Sequence, residues 1–476
     1  MARKKVDINA LLKKDFGGHK DWKEIIEYAI GIKSRNTEDI LLATKKKFPP
    51  MLKMLEKHKP ISLFGNIVEN IPVNAYEQMK IAMSIPPAVG GAMMPDSHFG
   101  YSAPIGAVIA TDGVVVPSFI GYDVSCMMMV TIFDMDYDDY ESNKDLVYDA
   151  LHKSVNFGMG SEYANNPKKS ALMDSSIWNE LGSMKPLKHL AEVQLGTSGA
   201  GNHFADIVLG TKISNDEKYN YIPNKFIALM THSGSRGLGN KVAKYYMALA
   251  DAETARIARK IPNGYGWLDM KKDSGREYWK VMEFLGEYSL ENHKIIHKTF
   301  LKNLKSTVNN IFVNRHNFAW MEDGFIVHRK GATPAHAERI GIIPGSSGSS
   351  SYLTCGLGNE ESYNSSSHGA GRVCSRTEAK EKYNESEYTK HMSKGAIITN
   401  GVDKDETYQA YKNIEDVMNV QNKVLLDKVA HLQPRIVFMG GAKGKQKSVL
   451  TSEQTKEVLE KVQKLLKKSN DATTSD

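Results

Sequence analysis

The chain has 476 residues, of which 41% are hydrophobic and 25% are charged, and its formal net charge is +7. This composition is typical of a soluble globular protein, and the mild basic excess is compatible with a polyanionic partner. The three cysteines predict no disulfide framework, and no run of about 18 apolar residues is present that could span a membrane. Because the basic N-terminus also lacks the apolar core of a secretory signal, we expect a cytoplasmic protein.

The predicted elements divide the chain into three regions. Residues 1–60 are rich in lysine and helical in character, which predicts a peripheral N-terminal helical cap. Residues 61–450 hold strand-like runs separated by glycine-rich polar loops, and we expect them to form one large catalytic domain. Residues 451–476 predict an amphipathic C-terminal helix that passes into a flexible polar tail.

The first polar cluster of the large domain is MPDSHFGYSAPIG, at residues 94–106. Two β-rich runs follow it and flank Asp112 and Gly113, which is typical of a β-hairpin. Asp96 and His98 are therefore expected in a loop at a strand end. The alternative is a turn that these side chains merely stabilise through bonds to the backbone.

The next cluster, GYDVSC at residues 121–126, places Asp123 and Cys126 three residues apart. If this loop curls, a hard carboxylate oxygen and a soft thiolate meet at one ion or at two neighbouring ions. A buried structural cysteine beside a turn aspartate is the alternative interpretation, and these two residues taken alone favour it.

Two later loops add nitrogen donors. The glycines of LGTSGAGNHFAD, residues 195–206, have the wrong spacing for a dinucleotide-binding loop and instead predict a bend that presents Asn202 and His203 side by side. The apolar run FIALM predicts a buried strand that leads to His232, a ligand candidate, and to Arg236, an anion-site candidate at the start of a helix.

A long helical region is predicted over residues 276–311, and on it His293 and His297 lie four residues apart, as a metal-binding pair would. The glutamate of an HExxH motif does not accompany them, and lysines alternate with the two histidines. An ordinary solvated helix face therefore explains this pair better than a metal site does.

The loop SSSHGAGR, residues 365–372, places His368 between small residues, with Arg372 and Arg376 after it. Glycine lets a ligand approach the backbone, arginine matches phosphate oxygens, and an imidazole can attack phosphorus. A Gly/Ser-rich turn with a surface histidine is the alternative. The preceding loop, IPGSSGSSSY, is linker-like in composition, but its place between strand-like runs favours a phosphate or base cradle.

Collected from these loops, the polar residues form a group of metal donors and a group of cations. The donors, which suit one or two divalent ions, are Asp123, Cys126, Asn202, His203, His232, His316 and His368. The cations, which suit phosphates, are Arg236, Lys330, Arg372, Arg376 and Lys443. A metal, a histidine nucleophile and cations together indicate nucleotidyl or phosphoryl transfer, and donor softness alone favours zinc.

From about residue 91 to 444 the sequence resembles the RtcB-type RNA ligases, which join RNA 2′,3′-cyclic-phosphate or 3′-phosphate ends to 5′-hydroxyl ends. The motifs that carry the resemblance are MPDSHFGYSAPIG, GYDVSC, GTSGAGNHF, HSGSRG, the HN pair at 316–317, HRKGAT, IPGSSGSSSY, SSSHGAGR and a late AKG. The resemblance implies an α+β fold, with a single large domain of mixed β-sheets around a central metal and nucleotide cleft and with peripheral helices.

The resemblance also implies a mechanism, in which His368 takes GMP from GTP as a covalent phosphoramidate and RNA-3′-pp-5′-G follows. It replaces zinc with two Mn²⁺ ions bridged by Cys126, and it gives Asp96 a part in the end-joining steps. The other ligands divide between the two ions, His203 and His232 for one, Asp123 and His316 for the other.

Two sets of contact residues follow from the same resemblance. The guanine nucleotide would be bound by Asn202, Asp206, Ser346, Ser351, His368, Gly369, Ala370, Gly371, Tyr411 and Lys443. The RNA phosphates would be held by Arg236, Lys330, Arg372 and Arg376. The chain departs from the family pattern at three places: GYDVSCMM carries bulk where the family has glycine, Asp206 replaces a glutamate, and His336 lies where an arginine is common.

The implied partner is an RNA with a 2′,3′-cyclic phosphate or 3′-phosphate and a 5′-hydroxyl, and archease is a candidate activator. The family leans towards monomers, which we also expect here. Two other functions stay open at this point. One is a metal-dependent RNA-end phosphoesterase without a covalent step, and the other is an RNA-end binding protein whose altered motifs have weakened catalysis.

Overall fold

The computed structural model describes residues 7–19, 21–34 and 36–441. The C-terminal helix and tail expected at residues 451–476, and the candidate ligand Lys443, lie outside these ranges. None of the helices in the described ranges is both long enough and apolar enough to cross a membrane.

Hydrogen-bonding side chains begin several of the helices, as Asp7 does for the first by accepting the backbone N–H of Ala10. The helices are α1 (Ile8–Phe16), α2 (Trp22–Gly31), α3 (Thr37–Lys47), α4 (Val73–Ala82), α5 (Tyr137–Ser142), α6 (Lys144–His152), α7 (Ile177–Glu180), α8 (Lys188–Gln194), α9 (Arg236–Ile257), α10 (Asp273–Leu304), α11 (Arg376–Lys382), α12 (Glu385–Lys394) and α13 (Ile414–Gln421).

The strands form two large sheets and several short pairs. They are β1 (Ile61–Leu63), β2 (Ala88–His98), β3 (Ile105–Thr111), β4 (Val114–Val115), β5 (Met127–Phe133), β6 (Asn156–Phe157), β7 (Thr197–Gly199), β8 (Phe204–Lys212), β9 (Lys225–Ser233), β10 (Leu268–Asp269), β11 (Val308–Arg315), β12 (Asn317–Glu322), β13 (Phe325–Lys330), β14 (Ala332–Pro334), β15 (Ile340–Ile343), β16 (Ser351–Gly356), β17 (Ser365–Ser367), β18 (Ile398–Asn400) and β19 (Leu426–Met439).

The larger sheet has the order β11-β5-β9-β8-β19-β16-β15, with β18 added in parallel to β19. The run FIALM lies in β9 and is buried on both faces, as its continuous apolar character predicts. Its alternate residues enter two cores: Ile227 and Leu229 pack with Phe300 of α10, and Phe226 and Met230 pack on the opposite face. Mixed sheets, one large domain and flanking helices confirm the predicted α+β fold.

The second sheet, of order β1-β2-β3-β13-β12, corrects one local prediction. The runs around Asp112 and Gly113 do not pair as a hairpin, because β2 and β13 already occupy the two edges of β3. Instead β4 pairs with β10, and the Thr111 hydroxyl donates to the carbonyl of Val114 across the turn. Asp96 likewise lies in strand β2 rather than in a loop, in a stretch where the pairing with β3 becomes irregular.

The first three helices pack around a small core of their own. That core includes Leu12 and Phe16 of α1, Ile25 of α2 and Ile40 of α3. This observation agrees with a helical N-terminal region, while the boundaries drawn at residues 60 and 450 stay predictions.

A buried ion pair connects the second sheet to the loop that carries His368. Arg329 of β13 is fully buried and donates to both carboxylate oxygens of Glu322, at 2.9 and 2.7 Å. The same guanidinium donates to the Ser365 hydroxyl at 2.8 Å and to the Tyr363 carbonyl at 2.7 Å. Arg329 therefore fixes the start of the SSSHGAGR segment.

Glu322→Leu should lower the free energy of unfolding by about 3–5 kcal/mol, because it leaves the Arg329 guanidinium buried without its carboxylate. The double variant Arg329→Met/Glu322→Leu should recover much of that loss, since neither charge remains. Denaturant unfolding followed by tryptophan fluorescence measures both. An equal loss in the single and the double variant would contradict this account of the pair.

Candidate active site

Four adjacent strands of the larger sheet bring four of the predicted metal ligands together at the same end of the sheet. The ligands at the ends of β5, β8, β9 and β11 are Cys126, His203, His232 and His316. The antiparallel register pairs Met127 with both Ser233 and Arg315, and Phe204 with His232. Residues far apart in sequence therefore meet, because strand pairing places the ends that carry them side by side.

The five predicted ligands lie within a few ångströms of one another. The Cys126 Sγ atom is 3.0 Å from Nε2 of His232 and 3.6 Å from Nε2 of His203. That His203 nitrogen is 2.9 Å from Oδ2 of Asp123, and Nε2 of His316 is 3.1 Å from Nε2 of His232. The cysteine and the three histidines are buried.

Backbone carbonyls determine which nitrogen faces the sulfur in two of the histidines. His232 donates its Nδ1 proton to the Asn202 carbonyl at 2.9 Å, and His203 donates its Nδ1 proton to the Ser198 carbonyl at 2.7 Å. The Nε2 lone pairs of both rings therefore point at Cys126. Carbonyl partners of this kind orient metal-ligating histidines, and a divalent cation among the lone pairs would relieve their mutual repulsion.

The protonation states also fit a divalent cation. Burial lowers the pKa of His232 to about 3 and that of His316 well below its ordinary value, so both imidazoles are neutral at pH 7. Burial raises the pKa of Asp123, but the adjacent His203 outweighs it and brings the value down to about 2. Burial raises the pKa of the Cys126 thiol, an effect that a bound metal reverses by coordinating the thiolate.

The ligand atoms form two overlapping groups. Those of Cys126, His232 and His316 lie within 4.8 Å of one another, and so do those of Asp123, Cys126 and His203. Cys126 belongs to both groups, as a bridging thiolate would. The other four ligands divide between the two groups differently from the prediction, which paired His203 with His232 and Asp123 with His316. In the structure His203 faces Asp123, and His316 faces His232.

The backbone beside Cys126 is strained. Ser125 has a φ of +59°, in the left-handed region that residues with a side chain rarely adopt. Its backbone N–H donates to the Asn317 carbonyl at 2.7 Å, which holds the turn, but its buried hydroxyl has no partner among the described residues. Such strain is common where a backbone must present a functional side chain.

A buried carboxylate holds His368. Asp96 Oδ2 accepts from Nδ1 of His368 at 2.7 Å and from its backbone N–H at 3.1 Å, and it also accepts the N–H of Gly369 at 3.3 Å. Burial raises the pKa of Asp96, but the bonds from His368 outweigh this and lower it overall. The His368 ring lies 5.1 Å from that of His316, between centroids, so the candidate nucleophile adjoins the metal ligands.

A cavity of about 320 Å³ contains both Cys126 and His368 in its lining. It is also lined by these predicted contact residues: Asn202, Asp206, Ser346, Ser351, Gly369, Ala370, Gly371, Arg372, Arg376 and Tyr411. The candidate nucleophile and the sulfur therefore share one cavity, as the prediction of a common site requires. Asp206 lies in it fully buried, with its Oδ1 unpaired among the described residues, and burial raises its pKa well above the ordinary value.

A second cavity, of about 1180 Å³, adjoins the first. His203 and Arg236 line it, and it shares Asp123, Asn202, Arg376, Glu406 and Met439 with the first cavity. Arg236 donates from Nε to the Thr197 hydroxyl at 3.2 Å, so it is held at this wall.

The predicted cations differ in their surroundings. Arg376 is paired with Asp405 at 2.9 Å and with Glu406, and the Arg372 guanidinium lies 3.6 Å from Glu406. Lys330 lines neither cavity: its buried ammonium donates to two backbone carbonyls, and burial lowers its pKa to about 7. Lys330 therefore braces the fold where an RNA-phosphate contact was expected.

The sequence analysis gave no site role to several residues that line the cavity, namely His98, Phe204, Asn317 and Glu406. Glu406 belongs to the charged run DKDE, which is typical of a solvated surface. Its carboxylate is buried because the two arginines of the His368 loop face it, together with the Tyr411 hydroxyl. Phe204 and Asn317 each directly follow a histidine that had been singled out, and both stand inside the quoted motifs GTSGAGNHF and HN, which was the available signal.

The prediction that the histidine pair of α10 lies on a solvated face was wrong. The pair is buried behind the metal ligands. His293 and His297 are both buried, and Thr231 Oγ1 lies 2.6 Å from Nδ1 of the first and 2.7 Å from Nε2 of the second. His297 Nδ1 lies 2.7 Å from the Thr131 hydroxyl, and His293 Nε2 lies 3.2 Å from the Ser233 carbonyl.

The Ser233 carbonyl can only accept, and this sets the direction of the whole chain of bonds. Nε2 of His293 must donate to it, so Nδ1 of His293 accepts from Thr231, which in turn accepts from His297. Neither ring has room for a second proton without losing a bond. Burial accordingly lowers the pKa of His293 to about 4 and that of His297 well below normal.

Fold and site together define a protein with a cysteine–histidine metal-binding candidate next to a carboxylate-held histidine. The family model described as tRNA-splicing ligase RtcB matches residues 78–440. Because this match covers most of its length, the chain belongs to the RtcB family.

Individual relatives are similar over most of both chains. The chain is 28% identical to the tRNA-splicing ligase RtcB of Methanococcus maripaludis, over 79% of this chain and 93% of the relative. It is 29% identical to the RNA-splicing ligase RtcB of Escherichia coli, over 70% and 86%. It is 26% identical to the RNA-splicing ligase RtcB homolog 1 of Entamoeba dispar, over 79% and 84%.

Ser125→Gly should raise the free energy of unfolding by about 1 kcal/mol, because glycine adopts the left-handed conformation without strain and removes an unpaired buried hydroxyl. Ser125→Ala is the control that removes the hydroxyl but keeps the strained backbone. It should raise the free energy of unfolding by less than Ser125→Gly does. Thermal unfolding of the metal-free protein measures both. A destabilised Ser125→Gly variant would contradict the strain.

The metal-free protein should lose stability as the pH falls from 7 to 5. His98, His293 and His328 have a pKa of about 4 in the fold, against 6.5 in an unfolded chain. A base whose pKa is depressed by folding contributes stability that is complete above the unfolded value and is lost as the pH falls towards the folded value. Each such group costs about 2 kcal/mol at pH 5.

His328 offers a test remote from the metal ligands, since its ring bonds to backbone groups of Val116 and Ile109. His328→Gln should flatten the loss between pH 7 and 5 by about 2 kcal/mol, whatever its effect at pH 7. The exposed His152→Gln is the matched control. Urea unfolding with EDTA present measures the slope, and equal slopes in both variants would refute the assignment.

Proposed function

We propose that this chain is an RNA ligase that joins a 2′,3′-cyclic-phosphate or 3′-phosphate end to a 5′-hydroxyl end through a GMP–histidine intermediate. The single observation that carries the proposal is the shared cavity, which is lined by His368 and by the Cys126 ligand cluster. Membership in the RtcB family supports RNA ligation in general. Asp96 supports the covalent step, because its bond to Nδ1 leaves the Nε2 lone pair of His368 available.

The proposed reaction consists of three successive displacements at phosphorus. Nε2 of His368 attacks the α-phosphorus of GTP, so that an N–P bond forms and pyrophosphate leaves. An oxygen of the RNA 3′-phosphate then attacks that phosphorus, the N–P bond breaks, and RNA-3′-pp-5′-G forms. Finally the 5′-hydroxyl attacks the RNA 3′-phosphorus, loses its proton, and releases GMP as the strand is sealed. A cyclic phosphate is first opened by water to the 3′-phosphate.

Two manganese ions, one at each group of ligands around Cys126, would supply positive charge to phosphate oxygens in these steps. Asp96 keeps the His368 ring oriented and stabilises the positive charge that the ring acquires when it attacks. Asp206, Ser346, Ser351 and Tyr411 line the cavity at His368 and are proposed to hold the guanine nucleotide.

The RNA phosphates are proposed to lie along Arg236, Arg372 and Arg376. The latter two are already paired with carboxylates, so an incoming phosphate would share these guanidiniums with Asp405 and Glu406. The need for archease, the monomeric state and the cytoplasmic location stay predictions.

Incubation with GTP labelled at the α-phosphate, together with Mn²⁺ and no RNA, tests the covalent step. We expect one acid-labile GMP on the protein, which mass spectrometry should locate on His368. His368→Ala should abolish the label, and Asp96→Asn should slow labelling by about 100-fold or more, because the imidazole loses the group that fixes its tautomer.

Label on His98, another histidine that lines this cavity, would overturn the nucleophile assignment. Release of phosphate from the RNA end with no protein-bound GMP would favour a phosphoesterase instead. RNA binding with neither product would indicate a binding protein, and in either case the ligase proposal would fail.

A further inference from the structure

A loop at the edge of the site is held unusually firmly. Gln78 of α4 accepts the backbone N–H of Gly100 at 3.0 Å and donates to its carbonyl at 2.7 Å. One residue further on, the buried ammonium of Lys330 donates to the carbonyl of Tyr101. The segment 98–104 therefore has its backbone fixed from two sides.

This fixed loop nevertheless exposes aromatic rings. Phe99 is 59% exposed, Tyr101 is 49% exposed and Tyr122 of the following loop is 37% exposed. The Tyr101 and Tyr122 rings contact each other, with centroids 5.4 Å apart and planes inclined by 41°. Large aromatic faces left in water on a rigid backbone give a protein no packing energy, and they are a common feature of binding surfaces.

The aromatic residues stand beside the proposed chemistry. Tyr122 directly precedes Asp123 and lines the 1180 Å³ cavity together with Arg236. Phe99 directly follows His98, which lines the smaller cavity at His368. Tyr122 thus places one ring at the larger cavity, beside a guanidinium and a metal ligand, and Tyr101 extends it through the ring contact. Phe99 lies on the same fixed loop as Tyr101.

Aromatic faces next to cations suit single-stranded nucleic acid, because bases stack on the rings while the cations hold the phosphates. Every base has a π-face, so such a surface accepts an end of any sequence. A rigid loop also loses little conformational entropy when a base stacks on it.

We propose that Phe99, Tyr101 and Tyr122 form a stacking platform for the last bases of the RNA end that enters the larger cavity. This inference rests on the proposed ligase function, and it adds the residues that position the RNA independently of sequence. In this proposal the rings contribute stacking with the bases, whereas the arginines contribute positive charge to the phosphates.

The test uses the full-length protein with Mn²⁺ and short RNAs that carry 2-aminopurine as the terminal base next to a 3′-phosphate. Stacking on a ring quenches 2-aminopurine fluorescence, and titration gives the Kd. Phe99→Leu and Tyr122→Leu should each weaken binding by about tenfold and reduce the quenching. Tyr122→Trp, which keeps an aromatic face, should restore both.

The control variant is Tyr221→Leu, since Tyr221 is also 49% exposed but belongs neither to the fixed loop 98–104 nor to the lining of either cavity. It should bind and quench as the wild type does. Gln78→Leu keeps all three aromatic side chains but removes the two hydrogen bonds that fix the loop at Gly100. It should therefore weaken RNA binding as well. Salt titration separates the two kinds of contact: loss of a ring should leave the salt dependence of Kd unchanged, whereas Arg236→Gln should reduce it.

Failures of the two proposals are distinguishable, because wild-type labelling by GTP needs no RNA. Labelled wild type with unchanged Kd and quenching in the Phe99 and Tyr122 variants would overturn the platform and leave the ligase proposal standing. Unlabelled wild type would overturn the ligase proposal. Weakened binding without any change in quenching would also overturn the platform, and would indicate that the loop meets RNA by another contact or meets a protein partner.

Discussion

The structure depends on one electrostatic constraint: neutral imidazole lone pairs, a thiol and a carboxylate converge in a buried place. Three ring nitrogens point towards Cys126 or one another, and backbone carbonyls prevent two of the rings from turning away. Burial also keeps protons off His232 and His316. A divalent cation satisfies all of these groups at once, which is why the arrangement is best understood as a metal centre.

The rest of the fold supplies the rigidity that this centre requires. Strand pairing sets the position of each ligand, and the hydrogen-bonded chain through Thr231 ties β5 and β9 to α10 behind them. On the opposite wall, Arg329 fixes the start of the His368 loop and Asp96 fixes the imidazole itself. Strain at Ser125 indicates that the turn is shaped by the position Cys126 must occupy rather than by local stability.

Small residues around a histidine or cysteine leave a distinct local pattern, and the residues singled out on it do lie together in the structure. Asp123 and Cys126 taken alone favoured a structural cysteine, and the roles of ligand and nucleophile stay proposals. The buried strand at FIALM was predictable from its apolar run, whereas the fold class was implied by the family resemblance. The hairpin at Asp112 failed because the edges of β3 are filled by strands that are distant in sequence. The burial of Glu406, Lys330 and the histidines of α10 could not be predicted either, since each depends on partners brought together by the tertiary fold.

The central claim is that one thiolate joins two metal ions. Diffraction from crystals grown with Mn²⁺, recorded on both sides of the manganese absorption edge, tests it most directly. The account predicts two anomalous peaks per chain, both at bonding distance from the sulfur of Cys126, one beside Asp123 and His203 and the other beside His232 and His316. No peak, or a single peak bonded elsewhere than to that sulfur, would contradict it.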